Sequence, residues 1–144
     1  MTETLQDMII RHEGEKLHAY QDHLGYWTIG VGRLIDERKG GGIGKRESRM
    51  LLEGDLNVCK QDLSKIFSDE TGDSWVGISR ERQKALVDMR FQLGPSGFRS
   101  FTNMIQAIKD DDWDRAADEA LNSKYARIDT PERAQEIAEI LRNG

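Results

Sequence analysis

A single cysteine, Cys59, stands in 144 residues, which leaves no partner for an intrachain disulfide. It falls on a helical apolar stripe, where a thiol serves as a small buried hydrophobe rather than as a nucleophile. No apolar run approaches the roughly 18 residues that a spanning helix needs, so stable membrane insertion is not expected. The N-terminal Met1-Thr2-Glu3-Thr4 lacks the basic region and apolar core of a secretory signal, which points to cytoplasmic synthesis without signal-directed export. Nor is there a basic stripe. The 21 Lys and Arg are scattered among 26 Asp and Glu, for a net charge of −5, and no nucleic-acid partner is expected. His12, His18 and His23 match no standard zinc spacing, and no further His or second Cys follows. No Lys-Ser/Thr pair follows Gly40-Gly41-Gly42, so those glycines read as a linker, not a phosphate cradle. The expectation is a chain with no metal and no cofactor, and without internal repeats.

Hydrophobic residues at 37% and charged residues at 33% describe a globular chain, long enough for one domain or two small lobes sharing a helix. Leu5, Met8 and Ile9 keep helical spacing, Thr4 and Asp7 supply a capping pair, and Gly14 stops the helix with Glu13 on its last turn. Ala19-Tyr20-Gln21 and Tyr26 to Val31 have strand composition, with Asp22-His23-Leu24-Gly25 as the turn between them. In the second arm Trp27, Ile29 and Val31 face one way, Tyr26 and Thr28 the other. Residues 35–42 read as a mobile loop. From about 44 to 67 Leu52, Leu56, Cys59, Leu63 and Ile66 hold one stripe, a helix on the order of 33 Å long. Residues 68–77 read as loop. Helices follow over Ser79–Leu93, ended by Gly94-Pro95, then after Ser100, after Asp112 and from Thr130-Pro131. The fold expected is α+β and mostly helical within one domain, 1–144. Its first lobe, about 14–55, carries a short antiparallel sheet. The connecting helix, about 44–67, leads to a helical lobe of about 68–144 plus the N-terminal helix.

Glycoside hydrolysis needs one carboxyl kept protonated for the leaving oxygen and a second kept ionised. Glu13 ends a helix, where the negative end of the backbone dipole disfavours another negative charge. Asp22 lies in a turn with backbone N–H groups nearby, which favours its ionised form. Spacing alone still favours plain structural roles: Glu13 as an ion-paired surface residue and Asp22 as an Asx-turn residue.

The segment His12-Glu13-Gly14 through Leu34 tips that balance. Helix-end Glu-Gly, Tyr20-x-Asp22-x-x-Gly25 and Thr28-Ile29-Gly30-x-Gly32 stand in order. Together they closely resemble the active-site stretch of the phage-type lysozymes. Phe91-Gln92-Leu93-Gly94, Phe101-Thr102-Asn103, Trp113-Asp114-Arg115-Ala116-Ala117 and Thr130-Pro131-x-Arg133-Ala134 extend the resemblance into the last helix, with a shortened connection around 35–43.

The resemblance implies a two-lobed lysozyme-like fold and a muramidase acting on peptidoglycan glycan strands as a monomer. It implies Glu13 as proton donor, Asp22 as second carboxylate, acting as base in an inverting reaction, and Thr28 as the group sharing the attacking water. Leu34 and Phe91 match sugar-contact positions, with core packing an equal alternative for Phe91. Met104 and Glu119 fall at further sugar contacts without the usual small polar side chains. Arg133 matches an arginine that pairs with the catalytic glutamate. Arg33 stands in place of a histidine whose acidic partner falls at Asp55, so an Arg33–Asp55 ion pair is expected. Arg33, Lys124 and Arg133 are the cations expected to offset the acidity of the chain at the cleft. The resemblance also implies an endolysin held in the host bacterial cytoplasm until a holin admits it to the periplasmic wall. A virion-tail lysozyme fits the same residues. A non-catalytic wall-binding module and a lytic transglycosylase are the alternatives.

Overall fold

The computed structural model describes residues 2–35, 40–69 and 72–144. By its internal contacts the chain divides into two compact units, Met1–Leu52 and Glu53–Gly144. Helix α1 (Leu5–Glu13) belongs to the first of these, not to the helical second unit with which the sequence pattern grouped it.

In the first unit Thr4 caps α1: its Oγ1 accepts from the Asp7 N–H at 3.1 Å and donates to the Asp7 carboxylate at 2.7 Å. Gly14 ends the helix with a bond from its N–H to the Ile10 carbonyl, 2.7 Å. Three strands follow, β1 (Lys16–Gln21), β2 (Trp27–Gly30) and β3 (Arg33–Leu34), antiparallel in that order. The first begins three residues earlier than the composition of Ala19-Tyr20-Gln21 indicates, and its pairing is irregular between Lys16 and Tyr20. Such an irregularity breaks the alternation from which strands are read. The third strand is too short to carry a pattern of its own. Tyr20 pairs with Thr28 and Thr28 with Leu34, so these three side chains form one row across the sheet. Of the loop expected over 35–42, residues 36–39 lie outside the described residues. Gly41 lies against the Trp27 ring, where a Cβ would come within 2.5 Å of Cδ1.

Helix α2 (Lys45–Phe67) runs from the first unit into the second and matches the expected span. Its buried face is Cys59, Leu63 and Phe67. Leu52, counted in the expected stripe, is exposed, since the stripe meets a core only farther along. Ser68–Asp69 and Gly72–Asp73 pair as β4 and β5, a small antiparallel ladder within a segment whose composition reads as loop. Two-residue strands leave no periodicity to detect.

Helix α3 (Arg80–Arg99) is broken at Gly94, whose φ of +76° is left-handed, and Pro95 restarts the chain. Then come α4 (Thr102–Lys109), α5 (Trp113–Leu121), one π-helical turn (Tyr125–Asp129) and α6 (Pro131–Asn143). Ser79 and Asp112 cap α3 and α5 through their side chains. Pro131 opens α6 as expected, but Thr130 makes no side-chain cap; its hydroxyl accepts from Gln92 Nε2 at 2.9 Å. The core gathers Leu63, Phe67, Leu86, Met89, Phe98 and Leu141 from α2, α3 and α6, with Met104 from α4. Beside it Asp62 accepts from the buried Arg90 at 2.6 Å and also from Arg99.

Candidate active site

Glu13 is held at the end of α1 by the stop at Gly14, and its carboxyl reaches the turn joining β2 to β3. A Cβ on Gly32 would lie 3.0 Å from Glu13 Oε2, and the φ of Gly32 is +63°. Only glycine satisfies both the left-handed backbone and the close approach of the acid.

Asp22 opens the β1–β2 turn. Its Oδ1 accepts from the Leu24 and Tyr26 N–H groups, each at 2.9 Å. These bonds favour the charged carboxylate and hold it below the usual range. The Tyr26 N–H contributes most; desolvation opposes it, and the Leu24 N–H and the His23 charge assist. The Asx turn and the ionised carboxylate are therefore one arrangement. The same bonds that fold the turn keep the group charged.

Thr28 sits at the centre of the sheet, 5% exposed, between Tyr20 and Leu34. Its hydroxyl donates to the Tyr26 carbonyl at 3.2 Å, which leaves its lone pairs to accept. Glu13, Asp22, Thr28 and Leu34 all line one open cavity of about 680 Å³, together with Lys16 and Tyr20. Chemically this is an acid, an ionised carboxylate and an oriented hydroxyl around a space large enough for a sugar ring, with an apolar and an aromatic wall.

The other expected positions fare differently. Leu34 is 42% exposed and lines the cavity. Phe91 is 44% exposed, so it is no core residue. Met104 is fully buried in the core of the second unit, and it stands with Glu119 and Lys124 around a separate cavity of about 420 Å³ there. Arg133 Nε donates to Asp88 at 2.8 Å, and that bond, ahead of any other influence, raises the hold of the guanidinium on its proton. Arg33 meets Glu47 on the first turn of α2, not Asp55. Asp55 lies eight residues on, about 12 Å along a helix, is exposed, and forms no ion pair among the described residues. Two of the three cations expected to offset the acidic chain are thus already paired with acids. Among the described residues the lysine at the cavity is Lys16, which strand composition beginning at Ala19 does not reveal.

A family model described as "Phage lysozyme" matches residues 10–135. The chain is 28% identical over 167 residues to "Probable T4-type lysozyme 1" of Dictyostelium discoideum, covering 100% of this chain and 96% of that protein. It is 31% identical over 137 residues to "Endolysin" of Salmonella phage P22, 89% of this chain and 88% of that one. It is 29% identical over 163 residues to "Pre-baseplate central spike protein Gp5" of Enterobacteria phage T4, where 98% of this chain corresponds to 28% of that protein. The matched span runs from α1 into α6 and takes in Glu13, Asp22 and Thr28, and the chain belongs to the phage lysozyme family.

Proposed function

We propose that the protein is a lysozyme-type glycosidase that hydrolyses the β-1,4 bond between N-acetylmuramic acid and N-acetylglucosamine in peptidoglycan. The observation that carries this reading is the meeting of Glu13, Asp22 and Thr28 at one cavity. Glu13 donates its proton to the glycosidic oxygen as the bond to the anomeric carbon breaks. A water that donates to Asp22 and is oriented by the Thr28 hydroxyl adds to that carbon from the opposite face, and Asp22 takes its proton. The products are two shorter strands, with one water added across the broken bond. Asp22 suits the role of base because its turn keeps it ionised at neutral pH. Attack from the opposite face makes the reaction inverting, and Leu34 offers an apolar face for a sugar ring at the cavity.

Mass spectrometry of digested peptidoglycan tests the reaction. Hydrolysis adds one water, whereas an anhydro product would identify a lytic transglycosylase. Digestion must fall at least about a hundredfold in Glu13→Gln, roughly the smallest loss expected of a general acid; a wild-type protein that binds walls and releases nothing would be a non-catalytic module. Proton NMR of the first-formed reducing end should show the α-anomer, and a β-anomer would make Asp22 a nucleophile.

The relative named endolysin supports a free lytic protein, and the proposal extends to synthesis in the bacterial cytoplasm and admission to the wall by a holin. Among the described residues no helix is long and apolar enough to cross a membrane. Its detection in purified virions would instead assign it to the tail.

A further inference from the structure

Among the described residues the cavity is lined by one lysine that no acid neutralises. Lys16 lines it from the start of β1, and its Nζ lies 4.3 Å from the centroid of the Tyr20 ring. Among the described residues Lys16 forms no ion pair, while Arg11 and Arg33 in the same unit are bound to Glu3 and Glu47. The aromatic face is an unusual tether for an ammonium. It fixes the position of the charge and leaves the charge itself unspent, because a ring quadrupole orients a cation without neutralising it. Tyr20 is in turn paired across the sheet with Thr28, so the ammonium is referenced to the same row of side chains as the reacting groups. His23 is the other basic group lining the cavity, and its charge acts on Asp22. Glu13 and Asp22 are the acids there, and neither is paired with Lys16. Asp22 spends its Oδ1 on the turn.

We infer that Lys16, held on the Tyr20 face, is a substrate-recognition residue that binds a carboxylate of the peptide stem carried by the glycan strand. The inference rests on the glycosidase reading for the identity of the strand. An acidic chain gains no general attraction to an anionic wall, so one placed cation lining the cavity provides attraction where a stem carboxylate hangs beside the scissile bond. A neutral glycan has no group for it.

Co-sedimentation with purified peptidoglycan tests this in a Glu13→Gln background, so that walls survive the assay. Two walls are compared: native, and one whose carboxylates have been capped as neutral ethanolamine amides. Lys16→Gln should weaken binding to the native wall about two- to fivefold, the range for one exposed ion pair, and Lys16→Arg should restore it. On the capped wall the Lys16→Gln protein and its parent should bind alike. Equal weakening on both walls, no weakening on the native wall, or failure of Lys16→Arg to restore binding would overturn the inference. A wild-type protein that binds both walls and cleaves neither sinks the glycosidase reading and leaves the carboxylate site standing. Absence of binding to either wall overturns both.

Discussion

Among the described residues one side chain of the first unit is buried, and it is a threonine, whereas every buried hydrophobic residue belongs to the second unit, from Cys59 onward. The first unit holds the candidate acid, base and hydroxyl, yet α1 buries nothing, and Ile29 and Leu34 of its sheet are exposed. Its order comes from local devices: the cap at Thr4, the stop at Gly14, the turn closed by Asp22 and the left-handed Gly32. The second unit relies on area removed from water, arranged on α2, α3 and α6. Chemistry and packing are therefore carried by different stretches of the chain. A polar cavity needs groups held by directed hydrogen bonds, whereas a core needs close-packed apolar volume.

Substitutions can break that division at either end. Glu13→Gln should lower kcat by about 10²–10⁴-fold, the span for loss of a general acid, while the thermal midpoint stays within a degree or two of wild type, roughly the shift expected of a neutral surface change. A large loss of stability would show that the acid also organises the first unit. Leu86→Ala, at a fully buried position, should cost about 2–5 kcal/mol in denaturant unfolding. A loss far below that range would mean that the second unit does not depend on its core.

Asp62→Asn should cost somewhat less, about 2–4 kcal/mol, because Arg90 would be left buried beside an uncharged partner. Its pH dependence is the sharper measurement. Arg99 first, then Arg90, hold the Asp62 carboxyl below its usual value of 3.8, against desolvation. A depressed folded-state value means stability that is fully present above pH 3.8 and lost as pH falls through the lower folded value. The difference between wild type and Asp62→Asn should therefore shrink in acid, and a difference independent of pH would exclude this linkage. Smallest, Gly32→Ala should cost about 1–2 kcal/mol for a left-handed backbone. It should also lower activity, because the new methyl meets the Glu13 carboxyl. Unchanged kinetics in a folded Gly32→Ala protein would show that this contact does not position the acid.

Much of the helical frame was legible because long elements repeat their signals. The 44–67 stripe recurs over several turns, and Gly94-Pro95 and Thr130-Pro131 are strong local punctuation. Short elements escaped for the opposite reason. The β4–β5 ladder, the π-helical turn and β3 are each too brief for a period to emerge, and the irregularity after Lys16 hid the start of β1. At the site, Asp22 was legible as an ionised turn residue because its bonds are made within four residues. Partners that depend on where one element meets another were not. Arg33 was expected to meet Asp55 and meets Glu47, and the Thr130 hydroxyl serves Gln92 rather than its own helix.

The sequence by itself determined which residues are available for acid–base chemistry, that Glu13 ends a helix, and that Asp22 folds a turn. Those properties are settled by dihedral preferences and hydrogen bonds a few residues long. Only the tertiary structure decided that the carboxyl of Glu13 rests against Gly32 and that Thr28 stands between Tyr20 and Leu34. It also decided that Lys16 lines the cavity on the Tyr20 face with no ion pair among the described residues. Strand register and the neutralisation of charges depend on which distant side chains arrive at one place, and no local preference encodes that.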